Sequence, residues 1–514
     1  MSAPITRFPP PQDPDPSMWI DEAIWGHRLY DEQTPWLAFL EFLNVFAHEV
    51  GAGCALNEAS GFNHLVYSPA HRMELRNLLF NNLRLEEIRR STNNDNARWE
   101  QWFASMQKAQ GLPVPDFRYL RAHFQGFDDF CEVVGLIRST SLEVNSNKRW
   151  TSKFVFPYGA DCLYEDLDKE GKTNDRRFFG RSGEIVYLML SRCRQRERLA
   201  AALKERVINA SPTWTSLVRC LQPADLRLHS ADRGGSFLPY ESHPIFDDLA
   251  GDWLAILGLD VPNLDLFPHL VNLVGLHLIR YQLNISNVVL GKPHVARFVC
   301  EVVEPRKSSV REISAELYQA NNLLTTEAVG QWITNIENSE AWTKALQGEN
   351  AFYACKNLLE QVVLWPRKPD DYEKENDPTT LIGELRTSAL RRHSQHAANI
   401  HRNYGREIGL VSRRGTVKLR YAPNDDLLKS LIFANVQDRV ELNDFLATLF
   451  ARYGLIFGDR EASQALVDGS FEKKHFKANI RRLEQRLASL GLVRRLSDGC
   501  AYVVNPYRRR QNGQ

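Results

Sequence analysis

The chain has 514 residues, more than one hydrophobic core usually organises, so about two to four domains are expected. With 43% apolar and 25% charged residues the composition is that of a globular protein and excludes global disorder. A formal net charge of +1 neither implies nor excludes a charged partner, because a near-zero sum can hide opposed patches.

The opening segment, "MSAPITRFPPPQDPDPSMW", has no positive start followed by an apolar run and does not read as a secretion signal. Its prolines predict a flexible arm over residues 1–20. A helical domain is expected over 21–150. Trp36, Leu37, Phe39, Leu40, Leu43 and Phe46 are apolar nearly all round, the pattern of a buried helix. "HRMELRNLLFNNLRLEEIRR" (71–90) predicts an amphipathic helix, and "NNDNARWEQWFASMQKAQGLPVP" a loop, a short helix and a Gly-Pro stop.

Residues 151–365 predict a mixed α+β middle domain, with a strand at "KFVFPY", one helix over 183–207 and a strand over 294–303. The polar, proline-bearing "PRKPDDYEKENDP" predicts a linker over 366–385. The longest apolar runs, 35–47 and 269–283, are broken by charge and fall short of the roughly 20 residues that span a bilayer. No membrane partner is expected, and a cytoplasmic location is. Eight scattered cysteines form no C-x-x-C pair, which argues against a zinc knuckle or a thioredoxin-type site and for small core residues in a reducing compartment.

Charge is partitioned along the C-terminal region, 386–514. Residues 386–420 carry nine Lys/Arg against Glu407 alone, a charge of +8, whereas 421–472 carry −5 and 473–514 carry +9, leaving −11 for residues 1–385. The neutral total is an acidic body with a basic end, and that is an interaction signal.

Within the basic end a winged helix is expected over about 422–507. "NDDLLKSLIFANV" opens on capping residues and carries Leu427, Leu428, Leu431 and Ile432. "ELNDFLATLFARYGL" carries Leu442, Phe445, Leu446, Leu449, Phe450 and Tyr453 on one stripe, and a third helix carries Phe476, Ile480, Leu483, Leu487 and Leu490 before stopping at Gly491. "LVRRL", an Asp-Gly turn and "CAYVV" then predict a hairpin. Lys474, Ala478, Arg481, Arg482, Gln485 and Ser489 are expected opposite the apolar stripe of the third helix. Arg481, Arg482 and Gln485 suit base or groove contacts, and Lys474, Lys477, Arg494, Arg495 and Arg508 suit phosphate. Arg494 and Arg495 are strand neighbours, so at most one is expected to point into solvent beside a phosphate. Residues 508–510 read as a flexible anchor. The block 386–421 is expected to extend the same surface, with its second half a hairpin around "SRRG". His393, His396 and His401 have spacing that tempts a metal reading, but no nearby cysteine or carboxylate completes a site, and a polar helix face near phosphate fits better.

Motifs for chemistry are sparse. There is no P-loop, no G-x-G-x-x-G after a strand, no nucleophile elbow and no H-E-x-x-H, so no small-molecule cofactor and no metal are implied. A nuclease-like carboxylate-lysine set, Asp161, Glu170 and Lys172, is the best enzymatic candidate. Glu170 and Lys172 lie in a polar, glycine-containing stretch, which suits a solvated loop better than the rigid buried strand such a site needs. Arg176, Arg177 and Arg181 precede a helix whose first turn, around Gly183, can offer backbone N–H groups to a phosphate or an acidic partner; arginines packed on Phe178 and Phe179 are the structural alternative.

"WIDEAIWGHRLYDEQTPWLAFLEFL" (19–43), "NDRRFFGRSGEIVYLMLSR" (174–192) and "LKSLIFANV…DFLATLFARYGLIFG…RLASLGLVRRLSDGCAYVVNP" near the C-terminus resemble proteins of multigene bacterial anti-phage loci of the methylation-associated defence type. The resemblance implies a bacterial cytoplasmic setting and partner subunits such as ATPases, methyltransferases or nucleases. It assigns a role to no residue. The expected protein is mainly α (α+β), a multi-domain helical body with a C-terminal winged-helix domain. Its expected function is a non-catalytic DNA-binding or adaptor subunit of a defence complex, bound to double-stranded DNA and to other subunits of the system. A Mg²⁺-dependent nuclease subunit and a protein scaffold without DNA contact are the alternatives.

Overall fold

The computed structural model describes all residues except 1–18, 27–28, 58–64, 68–71, 81, 83, 109–115, 140–159, 164–179, 210–211, 224–232, 303–307, 414–417, 467–470, 498–499 and 509–514. The described chain is mainly helical. It begins with α1 (Ile20–Trp25) and α2 (Pro35–Gly51), followed by β1 (Leu65–Tyr67). α2 starts where the Thr34 side chain accepts the Leu37 amide and Pro35 has no N–H to satisfy. Leu37, Phe39, Leu40, Leu43 and Phe46 are all buried, as a helix without a polar face requires.

The next helices are α3 (Met73–Phe80), α4 (Leu85–Ser91), α5 (Asp95–Lys108), α6 (Leu120–His123) and α7 (Phe127–Ser139). They enclose a separate core in which Trp99, Trp102, Phe127 and Phe130 meet at ring separations of 4.8 to 6.4 Å. The expected domain 21–150 therefore divides: α1 and α2 join the main core, and α3 to α7 form their own.

The middle of the chain supplies α8 (Ser182–Ser191), α9 (Arg196–Leu203), α10 (Pro212–Cys220), β2 (Arg233–Ser236), α11 (Pro244–Leu257), α12 (Asn263–Val289), β3 (Phe298–Val299), α13 (Ser309–Glu337), α14 (Glu340–Leu346) and α15 (Ala351–Val363). The helix expected over 183–207 breaks at 192–195, and the strand expected over 294–303 shrinks to the two residues of β3. The strand expected at "KFVFPY" lies outside the described residues. Val218 of α10 and the adjoining Leu221 complete the aromatic core of α3 to α7, so residues distant in sequence share it.

Residues 366–385 are not a free linker. α16 (Pro378–Gln395) begins inside them, with Asp377 accepting the Thr380 amide and Pro378 at the first position. Leu381, Ile382 and Leu385 are buried, and the helix packs on α13 and α15. The Asp-Pro pair that looked like linker composition is a helix start.

Next come α17 (Ile400–Glu407) and the two-residue strands β4 (Val411–Ser412) and β5 (Arg420–Tyr421), paired antiparallel as the expected hairpin. The C-terminal unit consists of α18 (Asp425–Asn435), β6 (Arg439–Glu441), α19 (Leu442–Tyr453), β7 (Leu455–Ile456), α20 (Asp459–Ala465), α21 (Lys473–Ser489), β8 (Val493–Ser497) and β9 (Cys500–Val504). β6, β9 and β8 form one antiparallel sheet in that order, and β7 pairs parallel with β3 of the body. Gly491, at φ +73°, ends α21 in a backbone conformation that glycine adopts without strain.

One hydrophobic core runs from Ile20 to Val503, so the C-terminal unit is not a tethered module. A buried polar tie reinforces this. Asp252 of α11 accepts from His277 Nε2 of α12 at 2.8 Å, from Arg452 of α19 at 2.6 Å and from the Tyr453 hydroxyl at 2.8 Å. Arg280 donates to His277 Nδ1 at 2.9 Å, which leaves the proton of the neutral ring on Nε2, toward Asp252. Burial alone would raise the Asp252 pKa, but the His277 hydrogen bond and the Arg452 charge outweigh it and hold the carboxylate below its ordinary range. Among the described residues no helix is long and apolar enough to cross a membrane.

Candidate nucleic-acid interface

α21 owes its position to the residues on its inner faces. Phe476, Leu483 and Leu487 are buried, and Asn479, also buried, fastens the helix to the body. Its amide donates to the carbonyls of Cys300 at 2.9 Å and Phe457 at 3.0 Å, and its oxygen accepts the Val302 amide at 2.8 Å. Arg486 reaches Asp425 at 2.5 Å and the Pro423 carbonyl at 3.0 Å. His475 meets the Ser309 hydroxyl at 2.8 Å.

With those faces committed, the outer stripe is Lys474, Lys477, Arg481 and Gln485, spaced three, four and four residues apart and all exposed. Lys474 pairs with Glu472 at 2.9 Å; Lys477 and Arg481 have no ion pair among the described residues. Arg482 departs from its expected place. It is half-buried and donates to the Val302 carbonyl at 3.3 Å, because the body covers the side of α21 that a free three-helix unit would leave to solvent.

The hairpin splits its two arginines as strand alternation requires. Arg495 lies on the α21 side and pairs with Glu484 at 2.5 Å. Arg494 faces away from α21, and both arginines are exposed, so the expectation that only one would reach solvent does not hold. Arg508 is not part of a loose tail. It forms a backbone bridge with Leu259, next to the Asp260 amide that donates to the Tyr507 carbonyl at 2.6 Å. The Asp-Gly turn and residues 509–510 lie outside the described residues.

The other sequence candidates are occupied elsewhere. Asp161 accepts from Arg219 at 2.6 Å with Arg72 at 3.9 Å, so its charge is matched by two guanidiniums and is not offered to a cation. Glu170 and Lys172 lie outside the described residues, and among those described no group of three His, Cys, Asp or Glu is placed to hold a metal. The first turn of α8 does bind an acid, as the sequence allows, but the acid is the chain's own. Glu41 of α2, fully buried, accepts the amides of Arg181 at 3.1 Å and Gly183 at 2.8 Å, and Gln33 accepts that of Ser182 at 2.9 Å. Gly183 lets the helices meet this closely: a Cβ there would lie 2.4 Å from the Ala38 carbonyl oxygen. Arg176, Arg177, Phe178 and Phe179 lie outside the described residues. A lone glutamate inside the apolar run "LAFLEFL" was the sequence signal for this contact.

Part of the basic block 386–421 likewise turns inward, although Arg391, Arg402, Arg406, Arg413 and Lys418 stay exposed. His393 is buried between Asp21, at 3.0 Å, and Thr325, at 3.1 Å, with its ring stacked on Trp25. His396 pairs with Asp31 at 2.9 Å. His401 is buried against the Tyr421 hydroxyl at 2.9 Å, and burial pulls its pKa down to about 3. Neither a metal site nor a phosphate-facing surface describes these histidines. Arg392 pairs with Glu22 at 2.8 Å, Arg386 with Glu337 at 3.3 Å, and Arg420 with the buried Glu301, which also accepts from Arg311 at 2.8 Å.

No family model, no curated protein and no solved structure matches the chain.

Proposed function

We propose that residues 425–504 are a winged helix that holds duplex DNA, in a non-catalytic DNA-binding or adaptor subunit of a cytoplasmic bacterial anti-phage defence complex. The order is helix, strand, helix, two-residue strand, short helix, helix and hairpin, with β6 completing the sheet of the hairpin; β7 and α20 apart, it has the sequence of elements in which a last helix enters the major groove. The observation that carries the reading is the outer stripe of α21. Lys477 and Arg481 stand exposed and without ion pairs among the described residues, whereas Arg392, Arg420 and Arg452 are tied to acids. Arg481 and Gln485 have the donor geometry for guanine and adenine edges, and Lys474 and Lys477 suit phosphate. Arg482 is left out of this contact set. The defence setting and the docking of partner subunits rest on the sequence resemblance alone.

The test is fluorescence anisotropy of a labelled duplex with the full chain, compared with Lys477→Glu/Arg481→Glu across a salt series. Affinity is expected to fall by at least roughly tenfold and the salt slope by about two, with the melting temperature unchanged. Equal affinity for both proteins would reject the proposal.

A further inference from the structure

On the far side of the hairpin from α21, a cleft of about 1490 Å³ opens between the C-terminal sheet and the body. Arg439, Arg494, Leu496, Tyr502 and Arg508 line it from the sheet side, and Arg198 at the start of α9 lines it from the body. We propose that this cleft binds a single strand of nucleic acid, at a site separate from the duplex-binding stripe of α21 and independent of it.

Its charge is the first reason. The lining contains five arginines, no lysine and one acid, Asp438. Arg452 is neutralised by Asp252 and also bonds Asn435, so it belongs to the buried tie described above. Arg198, Arg439, Arg494 and Arg508 are exposed, and none has an ion pair among the described residues. Four like charges around one concavity repel each other, and a ligand bearing several anionic groups relieves that repulsion. Guanidinium forks match phosphate in two-point geometry, which a lysine does not.

Size and apolar surface narrow the ligand. At about 1490 Å³ the cleft is larger than the roughly 300–1,000 Å³ of an ordinary small-molecule pocket, which leaves room for a short length of an extended, unpaired strand. Tyr502 presents its ring to the cleft with the Arg439 guanidinium 5.8 Å from the ring centroid, and Leu496, 64% exposed, adds apolar surface nearby. An aromatic ring among arginines is the arrangement on which unstacked bases rest while the backbone is held electrostatically.

The experiment uses the full chain with a labelled oligo-dT strand and a labelled duplex, read by anisotropy. Arg198→Glu/Arg439→Glu is expected to weaken strand binding by roughly tenfold or more while duplex affinity and melting temperature stay unchanged. Tyr502→Leu is expected to weaken strand binding with all charges intact. Lys477→Glu/Arg481→Glu is expected to leave strand binding as it is, so the failure of one site is distinguishable from the failure of the other. Unchanged strand affinity in the Arg198/Arg439 variant overturns the proposal. So does polyglutamate of equal charge displacing the oligonucleotide as well as unlabelled oligo-dT does, since the cleft would then be a seat for an acidic peptide.

Discussion

Two stretches of this chain have nearly the same basic excess in sequence, +8 over 386–420 and +9 over 473–514, and divide it differently in the fold. In the first, arginines 386, 392 and 420 and all three histidines turn inward, where acids such as Glu22, Asp21, Asp31 and Glu301 meet most of them, while Arg391, Arg402, Arg406, Arg413 and Lys418 stay exposed on no single helix face. In the second, the outer stripe of α21 and the Arg494 face of the hairpin stay in solvent. A run of cations is therefore only in part a cationic surface. Acids supply partners for those members of each run that pack against the fold and leave the others uncompensated.

The sharpest way to break this comparison is to remove one charge from each stretch. Arg420→Met strips a buried partner from Glu301, and a loss of about 3 to 5 kcal/mol is expected in chemical denaturation. A loss below about 1 kcal/mol would mean that the block 386–421 is not held as described. A smaller effect comes from pH. The folded pKa of His401, about 3, lies below the unfolded value near 6.5, so the unfolded chain takes up a proton that the folded chain refuses. Its contribution is intact above about pH 6.5 and declines as pH falls toward 3, by about 2 kcal/mol at pH 5. His401→Gln is expected to flatten that part of the stability–pH curve, and an unchanged curve would place His401 in solvent. The smallest effect is Arg481→Ala, expected within about 0.5 kcal/mol of the parent in denaturation while duplex binding weakens. A large stability loss there would show that the stripe is packed rather than free.

Much of the helical framework was legible in the residues. The burial of 35–47, the three apolar stripes of the C-terminal unit, the stop at Gly491 and the strands flanking Asp498-Gly499 follow from local periodicity and turn chemistry, which act over a few residues. Part of the outer stripe of α21 was legible for the same reason, since Lys474, Arg481 and Gln485 fall on the expected face by spacing, whereas Lys477 stands exposed in place of the expected Ala478. Arg482 was misplaced because its face meets the carbonyl of Val302, 180 residues away, and helical spacing cannot register a distant backbone. The domain boundaries misled similarly. The polar segment before α16 has linker composition, yet its Asp-Pro start leads into a helix buried against α13 and α15.

By itself the sequence determined the helix over 35–47, the three apolar stripes of the C-terminal unit and the hairpin after Gly491, because those follow from dihedral preferences and the periodicity of side chains. Only the tertiary structure decided which charges meet. Glu41 capping α8, Asp252 holding α19 to α11 and α12, and four arginines surrounding one cleft each join residues far apart in the chain. Coulomb energy and desolvation depend on distance and burial, which the order of residues does not contain.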